Sequence, residues 1–177
     1  MPLPAAHAII GASIVAASRG SLVLSRDWRP LLLGAWLGLF PDIDIFFIWV
    51  LGFGKGWHGS LTHSLLFALA SGAITVVLVG GSRLRESAVY VSAVFSHAVL
   101  DYLTTRSSAG IELLWPFYAY RFKLGLFDYL DVNLNAHNFF NFAADALKIS
   151  LMELMVLSPV FFFIVFAKRP KWHLNSR

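Results

Sequence analysis

Five stretches of this chain, at about residues 5–24, 31–51, 64–82, 87–105 and 148–167, stay apolar for close to twenty residues. A helix needs roughly 20 mostly apolar residues to cross the hydrocarbon of a bilayer, and a barrel strand about half that. Within that hydrocarbon only helices and closed barrels satisfy their own backbone. Windows of this length therefore predict an all-α, polytopic membrane bundle of about five spans, formed as a single domain over residues 1–177. Arg19 makes the first window the weakest. Breakers separate the windows: "SRDWRP" (25–30), "GFGKGWHG" (52–59) and "GGSRLRE" (80–86). Between the fourth and fifth windows, residues 106–147 mix aromatics, asparagines and single charges, as in "WPFYAYRFKLG" and "DYLDVNLNAHNFFNF". That segment is expected to lie on the membrane surface.

Composition agrees. Hydrophobic residues make up 58% of the chain and charged residues 14%, against about half and a quarter in soluble domains. The fourteen Lys and Arg residues are scattered except in the tail "KRPKWHLNSR", which follows an apolar run like a membrane anchor, so nucleic acid is not an expected partner. The absence of cysteine excludes thiolate metal sites, disulfides and cysteine nucleophiles. "MPLPAAHAII" lacks the positive region of a cleaved signal peptide. Crossings alternate sides, which puts Arg19, Arg26, Arg29, Arg83, Arg85, Lys168, Arg169, Lys171 and Arg177 on one face. Lys55, Arg106, Arg121, Lys123 and Lys148 fall on the other. The positive-inside rule then places the C-terminus in the cytoplasm and the N-terminus outside.

Four polar insertions interrupt the apolar windows: His7, "PDID" (41–44), "HGSLTHS" (58–64) and "SHAVLD" (96–101). In this topology all four fall in the outer half of one bundle. An ionised aspartate at mid-bilayer depth costs about 2.5–3.5 kcal/mol, and Asp42 and Asp44 would also repel each other. A divalent cation removes both penalties, and histidine with aspartate is a normal ligand set for zinc or manganese. His97 and Asp101, four residues apart, share one helix face. Pro41 is expected to kink the second span and open a polar pocket beside it. Simpler roles exist for each piece alone: Asp42 as a helix cap, His97 and Asp101 as a neutral hydrogen-bonded pair, Thr62 or Ser64 as a cap for the third span.

Weaker candidates are Asp128, Asp131, His137, Asn138, Asn141 and Asp145. Of these, His137, Asn141 and Asp145 follow fourfold spacing in "HNFFNFAAD", which also fits a solvated amphipathic face. Glu153 is expected to face the bundle interior. Arg121 and Lys123 follow a Trp-Pro turn and could hold a phosphate or anchor lipid headgroups. Ser60, Ser64 and Ser96 lack the glycine-flanked strand–turn–helix setting of a hydrolase nucleophile.

The order His7, "PDID", "HGSLTHS", "SHAVLDYLTT" and "GIELLWPF" resembles the YdjM-like family of inner-membrane, metal-dependent hydrolases, over roughly residues 5 to 123. Gly59 departs from it, standing where the family often has arginine. The resemblance implies that His7, Asp42, Asp44, His58, His63, His97 and Asp101 form a metal and catalytic site in the inner (plasma) membrane. A fainter likeness, to the all-helical zinc-dependent phospholipases C and nucleases, lacks their further histidine, because the stretch after Asp101 reads "YLTTRSSAG".

The expected function is a membrane-embedded hydrolase holding one or two divalent ions, zinc foremost and manganese second. Its substrate would be a lipid or other amphiphile with a phosphoester or ester bond. His7, Asp42, His63, His97 and Asp101 would be the ligands, with Asp44 or His58 as general base or second shell, and Arg121 and Lys123 as substrate contacts. The competing expectations are a structural metal clip and an ion path. Residues 31–39 and 74–79 contain no ionisable side chain, so no polar path crosses the bilayer.

Overall fold

The computed structural model describes residues 4–79, 84–104, 110–126 and 139–170, without the side chains of Trp49, Lys55, Val79, 139–143, 145 and 146. The expectations for Asp128, Asp131, His137 and Asn138, and for the side chains of Asn141 and Asp145, lie outside the described residues. Six α-helices form among the described residues: α1 Pro4–Ser18, α2 Leu24–Leu39, α3 Ile43–Trp49, α4 Leu65–Val79, α5 Leu84–Thr104 and α6 Phe139–Ala167. Among the described residues the only β-type pairing is a single antiparallel bridge, Ile111 to Phe122.

Of the about five spans expected, the helix lengths support two directly. Among the described residues two apolar stretches, Leu24–Ile48 and Leu147–Ala167, are long enough to cross a membrane, while α1 and the apolar part of α4 are shorter. At 1.5 Å per residue a 15-residue helix reaches only about 22 Å of the roughly 30 Å required. α5 has 21 residues but carries Arg85, Glu86, His97 and Asp101. Two boundaries also move. "SRDWRP", expected as a breaker, is helical, because the Asp27 carboxylate accepts the Val23 N–H at 2.8 Å and closes the first turn. α6 begins nine residues before its expected start at 148, so the end of the expected surface segment is helical.

α1 lies at the centre, packed against α2, α5 and α6, with α4 against α5 on the other side. Its small residues permit this. A Cβ added to Gly11 would sit 2.2 Å from the Gly34 carbonyl oxygen, and one added to Gly38 would sit 2.3 Å from that of His7. Gly34 and Gly38 form the small-xxx-small spacing that lets membrane helices touch backbone to backbone. Around the core, Leu32, Trp36, Val77, Leu78, Met155, Phe162, Phe163 and Phe166 are exposed. Buried polar groups inside an apolar exterior are the arrangement a lipid solvent selects.

Pro41 occupies the start of a 3-10 turn, Phe40–Asp42, between α2 and α3. The turn is the predicted interruption: helix tightens where proline cannot donate. After α3 the chain makes two more 3-10 turns, Lys55–Trp57 and Leu61–His63, before Ser64 accepts the Phe67 N–H at 3.1 Å and starts α4.

Candidate metal centre

Each of the four insertions arrives on a different element. His7 comes from the second turn of α1, Asp42 from the 3-10 turn and Asp44 from the start of α3. His58 and His63 come from the connection to α4, and His97 and Asp101 from the last turns of α5. His7, Asp44, His63, His97 and Asp101 are all buried. Asp42 and His58 retain 17% and 20% of their side-chain surface, so the cluster opens to its surroundings on their side.

Three ligand atoms form a compact triangle. His63 Nε2 lies 3.1 Å from His97 Nε2 and 3.1 Å from Asp101 Oδ2, and His97 Nε2 lies 3.4 Å from the same oxygen. A tetrahedral zinc with bonds of about 2.0–2.1 Å holds its ligands about 3.3–3.4 Å apart. These edges lie within about 0.3 Å of that figure, and three protein ligands would leave a fourth position open. Asp42 Oδ1 sits beside the triangle, 3.3 Å from His97 Nε2 and 3.9 Å from His63 Nε2.

The outer nitrogens decide what the inner ones carry. His97 Nδ1 lies 2.7 Å from the Gly38 carbonyl oxygen, which only accepts, so Nδ1–H donates. Thr62 Oγ1 donates to Asp44 Oδ2 at 2.8 Å and accepts from His63 Nδ1 at 3.0 Å. With Nδ1 donating outward, each ring in its neutral form would present an Nε2 lone pair to the cluster, the arrangement by which outer-shell partners orient histidine ligands. Lone pairs and carboxylate oxygens facing each other at these distances repel unless a proton or a metal cation lies between them. Consistent with that, both ring nitrogens of His7, Asp42 Oδ1 and both oxygens of Asp101 are buried without a hydrogen-bond partner. Buried polar atoms are nearly always satisfied; metal held in this cluster would supply the missing partner for His7 Nε2, Asp42 Oδ1 and the Asp101 oxygens. Among the described residues, three overlapping groups have the proximity to hold one: His7, Asp42 and His97; Asp42, His58 and His63; His63, His97 and Asp101.

The residue order and this interior meet in one comparison. A family model for the YdjM inner membrane proteins matches residues 1–172. The chain belongs to that family. No curated protein and no solved structure matches it. The YdjM membership and the apolar exterior of α6 together make this an inner membrane protein with a buried His/Asp cluster that could bind metal.

In this YdjM protein Asp44 lies behind the ligand atoms rather than among them. Its Oδ1 accepts from His58 Nδ1 at 2.9 Å, and its Oδ2 faces Thr62 and, at 3.5 Å, His63 Nδ1. Burial pushes the His58 pKa down, but the hydrogen bond to Asp44 and the Asp44 charge outweigh it, and the pKa lies above its ordinary value. Thr62, expected as a possible cap for the third span, instead links Asp44 to His63, and Ser64 caps α4.

Arg121 is not available as a substrate contact, which corrects that expectation. Its guanidinium donates to Glu112 at 3.0 Å, to the carbonyls of His58 and Gly110 at 3.1 Å each, to the Gly56 carbonyl at 2.6 Å, and to Ser60 Oγ at 2.9 Å. All five donors of the fork are used. Arg121 instead clasps the 56–60 loop to the 110–122 hairpin. It passes beside Gly59, whose φ of +80° and contact with Gly110 leave no room for a side chain. The hairpin is tied in turn to the end of α5 through Leu124 N–H to Tyr102 O at 2.8 Å. Lys123 is exposed. Glu153 faces the interior as expected, accepting the Ala6 N–H at 3.1 Å and fixing α6 to the turn that carries His7. The hydroxyls of Ser60, Ser64 and Ser96 each donate to a backbone carbonyl.

Proposed function

We propose that this protein is a membrane-embedded, metal-dependent hydrolase of lipid-like phosphoesters or esters, its site in the outer half of a bundle of about five crossings. In this reading the N-terminus lies outside and the C-terminus in the cytoplasm. The observation that carries the proposal is the His63–His97–Asp101 triangle, with its zinc-like edges and an open fourth position. A divalent ion held there supplies Lewis acidity, activating water and polarising the scissile group. His58, oriented by Asp44 and reaching the open side, serves as general base, its basicity raised by the Asp44 carboxylate that accepts from its Nδ1–H. Asp44 positions His58 and His63 without touching substrate, and Lys123 is the remaining candidate for a headgroup contact. Zinc is the expected metal and manganese the second.

A structural metal clip is the competing reading, favoured by the complete burial of His63, His97 and Asp101. The two separate in one experiment. Detergent-purified protein, its metal content measured, is assayed on bis-p-nitrophenyl phosphate, p-nitrophenyl esters and a set of phospholipids, beside Asp101→Asn and His58→Gln. Metal-dependent turnover lost in both variants supports the hydrolase. Metal bound without turnover on any of these substrates supports the clip.

A further inference from the structure

We infer that the centre is dinuclear, with Asp101 bridging two ions and His7 serving the second. The inference rests on the metal-binding reading above and goes beyond it in number and connectivity.

The rings of His7 and His97 are stacked, their centroids 3.7 Å apart and their planes 17° from parallel. A histidine nitrogen bonds a metal in the plane of its ring, at about 2.0–2.1 Å. An ion in that position on one of these rings lies about 2.5–4 Å out of the plane of the other, so the two cannot share an ion. His63 and His97 differ: their planes are 75° apart, with Nε2 atoms 3.1 Å from each other, and one ion serves both. His7 is therefore left outside the triangle, yet it is buried with neither ring nitrogen hydrogen-bonded.

Asp101 supplies the link. Its Oδ2 belongs to the triangle, while its Oδ1 points the other way, 3.6 Å from His7 Nε2. That separation is too long for a hydrogen bond and close to the spacing of two ligands on one ion. Both oxygens are buried without a hydrogen-bond partner, as a carboxylate with an ion on each side requires. Asp42, grouped with His7 within 4.8 Å, is the third ligand for the second ion. Parallel rings 3.7 Å apart would set their ions side by side at about the 3.5–4 Å of two-metal sites that clamp phosphoesters. The substrate class this favours is a phosphodiester or phosphomonoester over a carboxylic ester.

The test uses the full chain in detergent, stripped of metal and reloaded with Mn(II), read by metal stoichiometry and electron paramagnetic resonance. Two manganese per chain with an exchange-coupled spectrum are expected, falling to one per chain with an isolated six-line spectrum in His7→Gln. One manganese per chain in wild type overturns the dinuclear inference and leaves the metal-binding reading standing, whereas none overturns both. Two per chain without coupling also overturns it, because a carboxylate bridge couples the spins. The wild-type measurements alone decide the matter if His7→Gln fails to fold.

Discussion

Replacing Gly38 by alanine tests how the helix crossing builds the centre. Gly38 touches the site twice: its carbonyl accepts from His97 Nδ1 at 2.7 Å, and its Cα faces the His7 carbonyl. An added Cβ would meet that carbonyl oxygen at 2.3 Å, against 3.4 Å or more for ordinary contact, so α1 must retreat by about 1.1 Å. Overpacking of this kind costs about 1–3 kcal/mol, offset by about 1 kcal/mol because alanine is the better helix former. The net loss of stability is then roughly 0–2 kcal/mol. Metal binding suffers more, because ligand positions are tolerated within only about 0.2 Å. Moving His7 and tilting His97 together should lower affinity about 10–100-fold, as disturbed outer-shell partners do. The assay is competition for Zn(II) against a chelator of known strength, with Tm followed on the same samples. Gly20→Ala, where an added Cβ meets nothing within 4 Å, is the control. An affinity for Gly38→Ala equal to that of the control would refute the argument that the α1–α2 contact sets the ligand positions.

Two further outcomes follow from the same geometry. Arg121→Lys replaces a five-donor fork with a single ammonium that cannot span Glu112, Ser60 and three carbonyls. It should cost about 2–3 kcal/mol and raise hydrogen exchange across residues 56–60, and unchanged exchange there would rule out the clasp. In metal-free protein the His58–Asp44 pair should stabilise the fold most in acid. Because the folded His58 pKa lies above its ordinary 6.5, that contribution is complete below pH 6.5 and disappears as pH rises through the folded value. The Tm difference between wild type and His58→Gln should therefore shrink from pH 5.5 to pH 9. A constant difference would mean the pair does not titrate as described.

The sequence by itself determined the helical class, the lipid-facing exterior and the identity of the polar groups brought to one interior. Windows of twenty apolar residues leave few alternatives to helix, and charges isolated inside such windows must find partners. Helix lengths were less legible. The true start of α2 depends on the Asp27 carboxylate closing the turn at Val23, a contact that apolarity does not encode. Asp42 was expected among the ligands and Asp44 as general base or second shell, but how two carboxylates only two residues apart come to face different partners was decided by tertiary structure. The 3-10 turn at Pro41 sends Asp42 to the ligand atoms and Asp44 behind them, to His58, Thr62 and His63. Arg121 read as a free cation for a phosphate until the 56–60 loop, 61 to 65 residues earlier in the chain, consumed most of its donors. The stacking of His7 on His97 joins α1 to α5 across ninety residues. Spacing along a chain reports which groups share a helix face, but ring planes and bond directions between helices exist only once the helices have packed.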